Sequence, residues 1–291
     1  EGLRIAHVTD LHIRRPGRAR FERVIRQLAG LRLDLVVMTG DFTADPGYEA
    51  AAVEWLASLC RQVRPAHGFF AVTGNHDEVD LIERAGHLPI RWLTNETHRL
   101  EGLPIEMMGF LHTATREPDS VATLLHRGLP ERPQSDAPNL PQPQKGPQVI
   151  SSSASQFDEE GGASAPTVVP ANRPAATPPS ERTVRMLLAH AAVMLPTAAD
   201  MGVDLVFCGH SHGGQIRIPP GWPVVNSSDL PLRLTSGILR HRDTICLVSR
   251  GLGENGLPLR FWCPPHVPVY TLHDGPTPGQ WTQGVENVRP W

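Results

Sequence analysis

Apolar positions along this chain follow two rhythms. In one, a short β-prone run stops abruptly on a polar cluster; in the other, apolar residues recur every three or four positions, as on a buried helix face. Residues 3–9 are a strand run that ends at Asp10-Leu11-His12. An arginine-rich connection carries Arg14, Arg15, Arg18 and Arg20, and a helical spacing of Phe21, Val24, Ile25 and Leu28 follows it. Residues 35–39 form an apolar strand ending at Gly40-Asp41. Residues 48–63 put Ala52, Val53, Leu56 and Leu59 on one helix face. Residues 69–73 are a third apolar strand, ending at Gly74-Asn75-His76-Asp77, and a short helix is expected over 78–85. Strands alternating with helices are the βαβ rhythm of a largely parallel sheet, whose ligands sit beyond the carboxyl ends of the strands.

Residues 105–110 read as a strand with no ligand set at its end. The rhythm then breaks. Residues 130–180 hold 11 of the 29 prolines and a single aromatic residue, Phe157. So little apolar surface does not offset the entropy of ordering, and the segment is expected to be a disordered insertion in one domain spanning residues 1–291. Its PxxP spacings suit a partner domain, but such spacings are frequent by chance in proline-rich tracts. Order resumes at 184–189, a strand ending at His190, and residues 204–208 lead into Gly209-His210-Ser211-His212-Gly213-Gly214-Gln215. Two histidines at i and i+2 on an extended segment project to one side. The glycines around them allow a close backbone approach, and neutral imidazole is a common transition-metal ligand. Residues 244–249 and 267–272 are later strands without a long helix between them, which suggests antiparallel or mixed pairing.

Composition narrows the picture only modestly. With 291 residues, 40% of them hydrophobic, the chain can build one large core or two small ones. A formal net charge of −3 argues against a bulk electrostatic nucleic-acid binder. Lys145 is the only lysine, a bias that a GC-rich coding sequence explains. The four cysteines show no CxxC spacing; Cys208 and Cys246 sit in apolar runs and read as core residues. No apolar run reaches the ~20 residues that span a bilayer. The chain begins Glu1-Gly2-Leu3 without methionine, so a processed or trimmed product is expected, with any targeting or membrane segment upstream out of view.

Each polar cluster has an ordinary explanation when taken alone. Asp10 before His12 suits a turn, Gly40-Asp41 a turn or helix cap, and a lone His190 a structural histidine. Together they place metal-competent groups at the ends of successive apolar strands, and His190 is the only histidine between His126 and His210.

The ordered set D-x-H, G-D, G-N-H-D, H and G-H-S-H-G-G-Q resembles the calcineurin-like metallophosphoesterases, over residues 1 to about 272. Gly213-Gly214-Gln215-Ile216-Arg217, Gly251-Leu252-Gly253, Pro258-Leu259-Arg260 and Cys263-Pro264-Pro265 look most like a bacterial, often membrane-associated phosphodiesterase branch that includes hydrolases of UDP-diacylglucosamine. The resemblance implies a four-layer αββα sandwich of two mixed sheets. It also implies two divalent transition-metal ions, drawn from Mn, Fe, Zn or Ni. One would be held by Asp10, His12, Asp41 and His212, the other by Asp41, Asn75, His190 and His210. Asp41 would bridge, and a hydroxide between the ions would attack a phosphodiester or pyrophosphate in line. His76 is then expected to stabilise the phosphoryl oxygens or protonate the leaving group, and Asp77 to orient His76 or cap the next helix. Arg14, Arg15 and Gln215 are the candidate substrate contacts, with Arg18 and Arg20 extending a basic rim. The implied substrate is lipid- or nucleotide-sugar-linked, with peripheral membrane contact, a cell-envelope location and no specific nucleic acid. The alternatives are a nuclease of the same superfamily and a catalytically silent scaffold that recruits partners through the proline-rich segment. Two features depart from the family pattern. Ala191-Ala192-Val193 follows His190 where a polar turn is usual, and a long insertion enters upstream of His190.

Overall fold

In the computed structural model, which describes residues 2–15, 19–78, 80–110, 183–219, 221–224, 231–273 and 285–288, the expected rhythm becomes two sheets. The first part of the chain supplies β1 (Leu3–Val8), β2 (Leu35–Thr39), β3 (Phe69–Val72), β4 (Ile90–Trp92), β5 (Glu96–Arg99) and β6 (Ile105–Gly109). The later part supplies β7 (Val184–Leu188), β8 (Leu205–Cys208), β9 (Arg217–Ile218), β10 (Trp222–Pro223), β11 (Gly237–His241), β12 (Thr244–Val248), β13 (Val267–Leu272) and β14 (Val285–Val288). Among the described residues the α-helices are α1 (Ala19–Ala29), α2 (Glu49–Gln62), α3 (Asp80–Arg84) and α4 (Leu195–Asp200).

One sheet has the order β14-β13-β1-β2-β3-β4 and the other β11-β12-β8-β7-β6-β5. Strands β1 to β4 run parallel, with β13 antiparallel to β1. Strands β6, β7, β8 and β12 run parallel and are edged by antiparallel β5 and β11. The late strands therefore pair in the mixed fashion expected of them.

Alternation along each strand builds the layers. Leu35 and Val37 of β2 face a core shared with Met186 and Leu188 of β7 and Phe207 of β8, so the two sheets pack back to back. Val36 and Met38 point the other way, into a core with Val24, Ile25 and Leu28 of α1 and Leu56 and Leu59 of α2. On the outer face of the second sheet, Leu187, Val206 and Cys208 pack against Leu195 and Ala198 of α4. Strands buried on both faces read as continuous apolar runs, which is why they are legible in the sequence. The fold is thus a sandwich of two β-sheets flanked by helices. Cys60, Cys208, Cys246 and Cys263 are all free and buried.

Edge elements escape the pattern. Glu96-Thr97-His98-Arg99 forms β5 with most of its side chains outward, and β11 is similarly exposed; neither has an apolar run to announce it. The proline-rich stretch expected to be disordered lies outside the described residues.

The topology brings the chemistry to one place. Asp10, Asp41 and Asn75 follow β1, β2 and β3, which are adjacent parallel strands; His190 and His210 follow β7 and β8, adjacent in the other sheet.

Candidate metal centre

Strain marks the loops that follow these strands. Nine non-glycine residues among those described have positive φ, and six of them are Asp10, His12, Asp41, His210, His212 and Gln215, with φ between 45° and 70°. Left-handed backbone at a non-glycine residue costs roughly 1–3 kcal/mol, so such a concentration needs a compensating role. Two glycines let the carboxylates sit against backbone. A Cβ on Gly74 would lie 2.1 Å from Asp41 Oδ1, and one on Gly209 would lie 2.2 Å from Asp10 Oδ2. The Asp10 carboxylate accepts from the His210 amide at 2.9 Å and the Thr9 hydroxyl at 2.8 Å; Asp41 Oδ1 accepts from the His76 amide at 3.0 Å.

These loops converge in two overlapping groups, Asp10-His12-Asp41-His212 and Asp41-His190-His210, with the potential ligand atoms of each within 4.8 Å of one another. Asp41 Oδ2 stands 3.3 Å from both His12 Nε2 and His190 Nε2. His12 Nε2 faces His212 Nε2 at 3.0 Å, and His190 Nε2 faces His210 Nδ1 at 3.1 Å and Asn75 Oδ1 at 3.0 Å. The other nitrogen of His190, Nδ1, lies 2.7 Å from the Thr39 carbonyl. A carbonyl only accepts, so Nδ1 carries the proton and a neutral His190 turns a bare lone pair on carboxylate, amide oxygen and imidazole together.

A site so rich in lone pairs requires a cation. Burial lowers the pKa of His190, but the Asp41 and Asp10 carboxylates outweigh it and raise the value to about 9, so a proton fills the role when no metal does. Burial likewise opposes ionisation of Asp41, yet His190 and His12 hold its carboxyl well below the usual range. Asp10 is pushed up, chiefly by burial. His212 is pushed well down by burial, His12 and Arg260, which keeps it neutral, and Arg260 Nη2 lies 3.2 Å from its Nδ1. This cluster of buried His and Asp residues is consistent with a dinuclear divalent-metal site.

A family comparison agrees with the geometry. The model of the calcineurin-like phosphoesterases matches residues 3–214. The chain belongs to that family. Among its relatives, the UDP-2,3-diacylglucosamine pyrophosphatase LpxG of Chlamydia muridarum is 26% identical over 91% of this chain and 82% of its own length. The uncharacterized metallophosphoesterase YkuE of Bacillus subtilis (strain 168) is 37% identical over 93 residues, 32% of this chain; the match spans about a third of YkuE, 32% of its length. The crystal structure of TT1561 of Thermus thermophilus has the same fold, with a TM-score of 0.50 at 8% identity and all of both chains covered.

Around the ligand groups of this phosphoesterase, the expected residues divide. His76 stands at the cluster, its ring 4.7 Å from that of His12. Its Nδ1 lies 2.7 Å from the Ala44 carbonyl and so carries the proton, which leaves Nε2 toward Asn255 Nδ2 at 3.4 Å. Asp77, expected to orient His76 or cap a helix, turns its carboxylate elsewhere among the described residues. Its Oδ1 accepts from the Phe42 and Thr43 amides at 2.8 and 3.1 Å, and its Oδ2 from the Gly74 amide at 2.9 Å. Asp77 therefore braces the Asp41 loop against the Asn75 loop. Burial and nearby Asp41 raise its pKa to about 6.

The expected substrate contacts also have other company. Gln215 uses its amide nitrogen on the Asn255 and Leu257 carbonyls and its oxygen on the Asn255 amide, a loop brace rather than a free polar group. Arg14 lies 3.9 Å from Asp45, Arg15 lines a groove with Phe21 and Trp55 of α1 and α2, and Arg20 forms a two-pronged pair with Glu254. Arg18 lies outside the described residues.

Sequence reasoning missed Arg260. Its guanidinium is buried without a carboxylate partner within 4.0 Å among the described residues and donates to backbone carbonyls: Gly253 at 2.9 Å, Arg250 at 2.8 Å and His212 at 3.1 Å. The loop it holds seats on the first sheet, where Leu252 N donates to Thr9 O at 3.2 Å. Arg260 thereby pins the His212 loop to the Asp10 loop. Its place in Pro258-Leu259-Arg260 was a visible signal of membership, but not of this role.

Proposed function

We propose that this protein is a two-metal phosphoesterase that cleaves a phosphodiester or pyrophosphate bond. The observation that carries the reading is that Asp41 belongs to both ligand groups, with His76 beside them. Asp10, His12, Asp41 and His212 would hold one ion; Asp41, Asn75, His190 and His210 would hold the other. When bound, the two ions supply Lewis acidity, a water nucleophile and a clamp on the attacking and leaving oxygens. The protein supplies orientation and protons. Hydrogen bonds from His76 N and His210 N fix the two carboxylates, and the Thr39 carbonyl fixes the His190 tautomer. His76, held by Ala44 through Nδ1, would donate from Nε2 to the leaving or phosphoryl oxygen in its doubly protonated, imidazolium form.

Substrate enters from the exposed Asn75 and half-buried His210 side. A lipid- or nucleotide-sugar-linked phosphate in the cell envelope is the favoured class. Its support is the near full-length similarity to a protein named as a UDP-2,3-diacylglucosamine pyrophosphatase and the 34% identity over 97 residues to a protein named as a phosphodiesterase, YaeI of Escherichia coli (strain K12). The deciding experiment joins metal analysis of purified protein to hydrolysis of paired generic monoester and diester substrates. Two metals per chain and faster diester cleavage are expected. A metal-free protein, inert even after reconstitution, would refute the reading.

A further inference from the structure

Ten large hydrophobic side chains are exposed among the described residues, and all but Tyr48 and Val193 fall between Ile218 and Trp262. Apart from Leu232, they lie on two adjoining pieces of chain. The β9-β10 hairpin shows Ile218 and Trp222, the latter 66% exposed; the loop beside it shows Leu257, Leu259, Phe261 and Trp262, the last 59% exposed. The two pieces are joined by Arg217 N donating to Phe261 O at 2.9 Å and Phe261 N donating to Gln215 O at 3.1 Å. Trp262 also holds positive φ, 51°, an unfavourable backbone for an aromatic residue that nonetheless faces outward.

This rim is continuous with the metal centre. Leu257 lies two residues from Asn255, which approaches His76 Nε2, and Gln215 ties both of their carbonyls to the loop that carries His212. Whatever rests on the rim is held next to the reacting phosphate. Residues 205–228 and 255–273 contain neither Asp nor Glu, and Glu254, which lines a cavity with Trp262, is paired with Arg20. An anionic surface is therefore not repelled there, and tryptophan with leucine on irregular tips suits the headgroup–acyl boundary.

We infer that this apolar rim seats the protein on a lipid surface and sets the metal centre at the level of the headgroups. The inference rests on the phosphoesterase reading for what happens at the site, but the docking itself is measured separately. The purified protein is sedimented with vesicles of phosphatidylcholine, alone or mixed with phosphatidylglycerol, and tryptophan emission is recorded. Binding to both is expected, at least as strong on the anionic vesicles, with a blue-shifted emission. Trp222→Ser and Leu259→Ser should each weaken partitioning by about tenfold. Both side chains are more than half exposed, so metal content, melting temperature and hydrolysis of a small soluble diester should not change. The inference is overturned by a wild-type protein that stays in solution, by repulsion from anionic vesicles, or by substitutions without effect on partitioning. Self-association that these substitutions abolish, in the absence of vesicle binding, also overturns it, by assigning the rim to a second copy of the chain. Vesicle binding by a protein without metal or diesterase activity would leave the docking intact and remove the phosphoesterase reading instead.

Discussion

The two halves of the metal centre share Asp41 but differ in their access to solvent. Asp10, His12 and His212 are all buried; in the other half His190 is buried as well, but Asn75 is exposed and His210 half-buried. The sealed half is assembled from both sheets and pinned by Arg260. The open half shares its loop with His76. An ion in the first would be enclosed like a core residue, whereas one in the second would stand on the side open to solvent. The difference separates the task of keeping a metal from the task of presenting it.

Removing the shared ligand should erase the distinction. Asp41→Asn is expected to lose metal from both halves and to reduce hydrolysis to background, as read by metal analysis of the purified variant. Retention of two ions with full activity would break the bridging assignment. His76→Ala acts only on the open side. It should keep both metals while turnover falls by about 10²–10⁴-fold. Loss of metal along with activity would make His76 a ligand instead.

Arg260→Met tests the pin on the sealed half. Its expected effect is about 10–100-fold weaker binding of one ion of the two, measured by competition with a chelator, because it disturbs the support of a ligand rather than a ligand. Arg260→Lys should recover only part, since an ammonium cannot reach the same spread of carbonyls. Equal weakening of both ions would show that Arg260 supports the whole centre and not one half.

The effect of pH is graded, about tenfold per unit. With the His190 pKa raised to about 9 in the metal-free protein, a bound proton must leave before the metal enters. Affinity at the open half should thus fall by about tenfold per pH unit below about 9 and level off above it. For the metal-free fold the sign is opposite. A raised histidine pKa stabilises fully below the unfolded value of about 6.5, and that contribution is lost as pH rises through about 9. Metal titrations and thermal melts across this range would reveal both trends. A flat affinity profile would place the proton elsewhere.

The chain by itself determined the buried strands and the identity of the groups at their ends. Strands such as 35–39 and 205–208 are covered on both faces, so their sequences are apolar throughout and the polar residues that terminate them stand out. Helices α1 and α2 were equally legible, because each buries one face against the first sheet. Only the tertiary structure decided which partners those terminal groups meet. Asp77 resembles a catalytic neighbour of His76 in sequence, yet its carboxylate turns to three backbone amides; Gln215 and Arg20 are likewise taken up by loop 254–257. Arg260 lies 48 residues along the chain from His212, whose carbonyl it holds. Spacing in sequence carries no information about such contacts, because polar side chains at loops are satisfied by whichever backbone groups the folded sheets bring within reach.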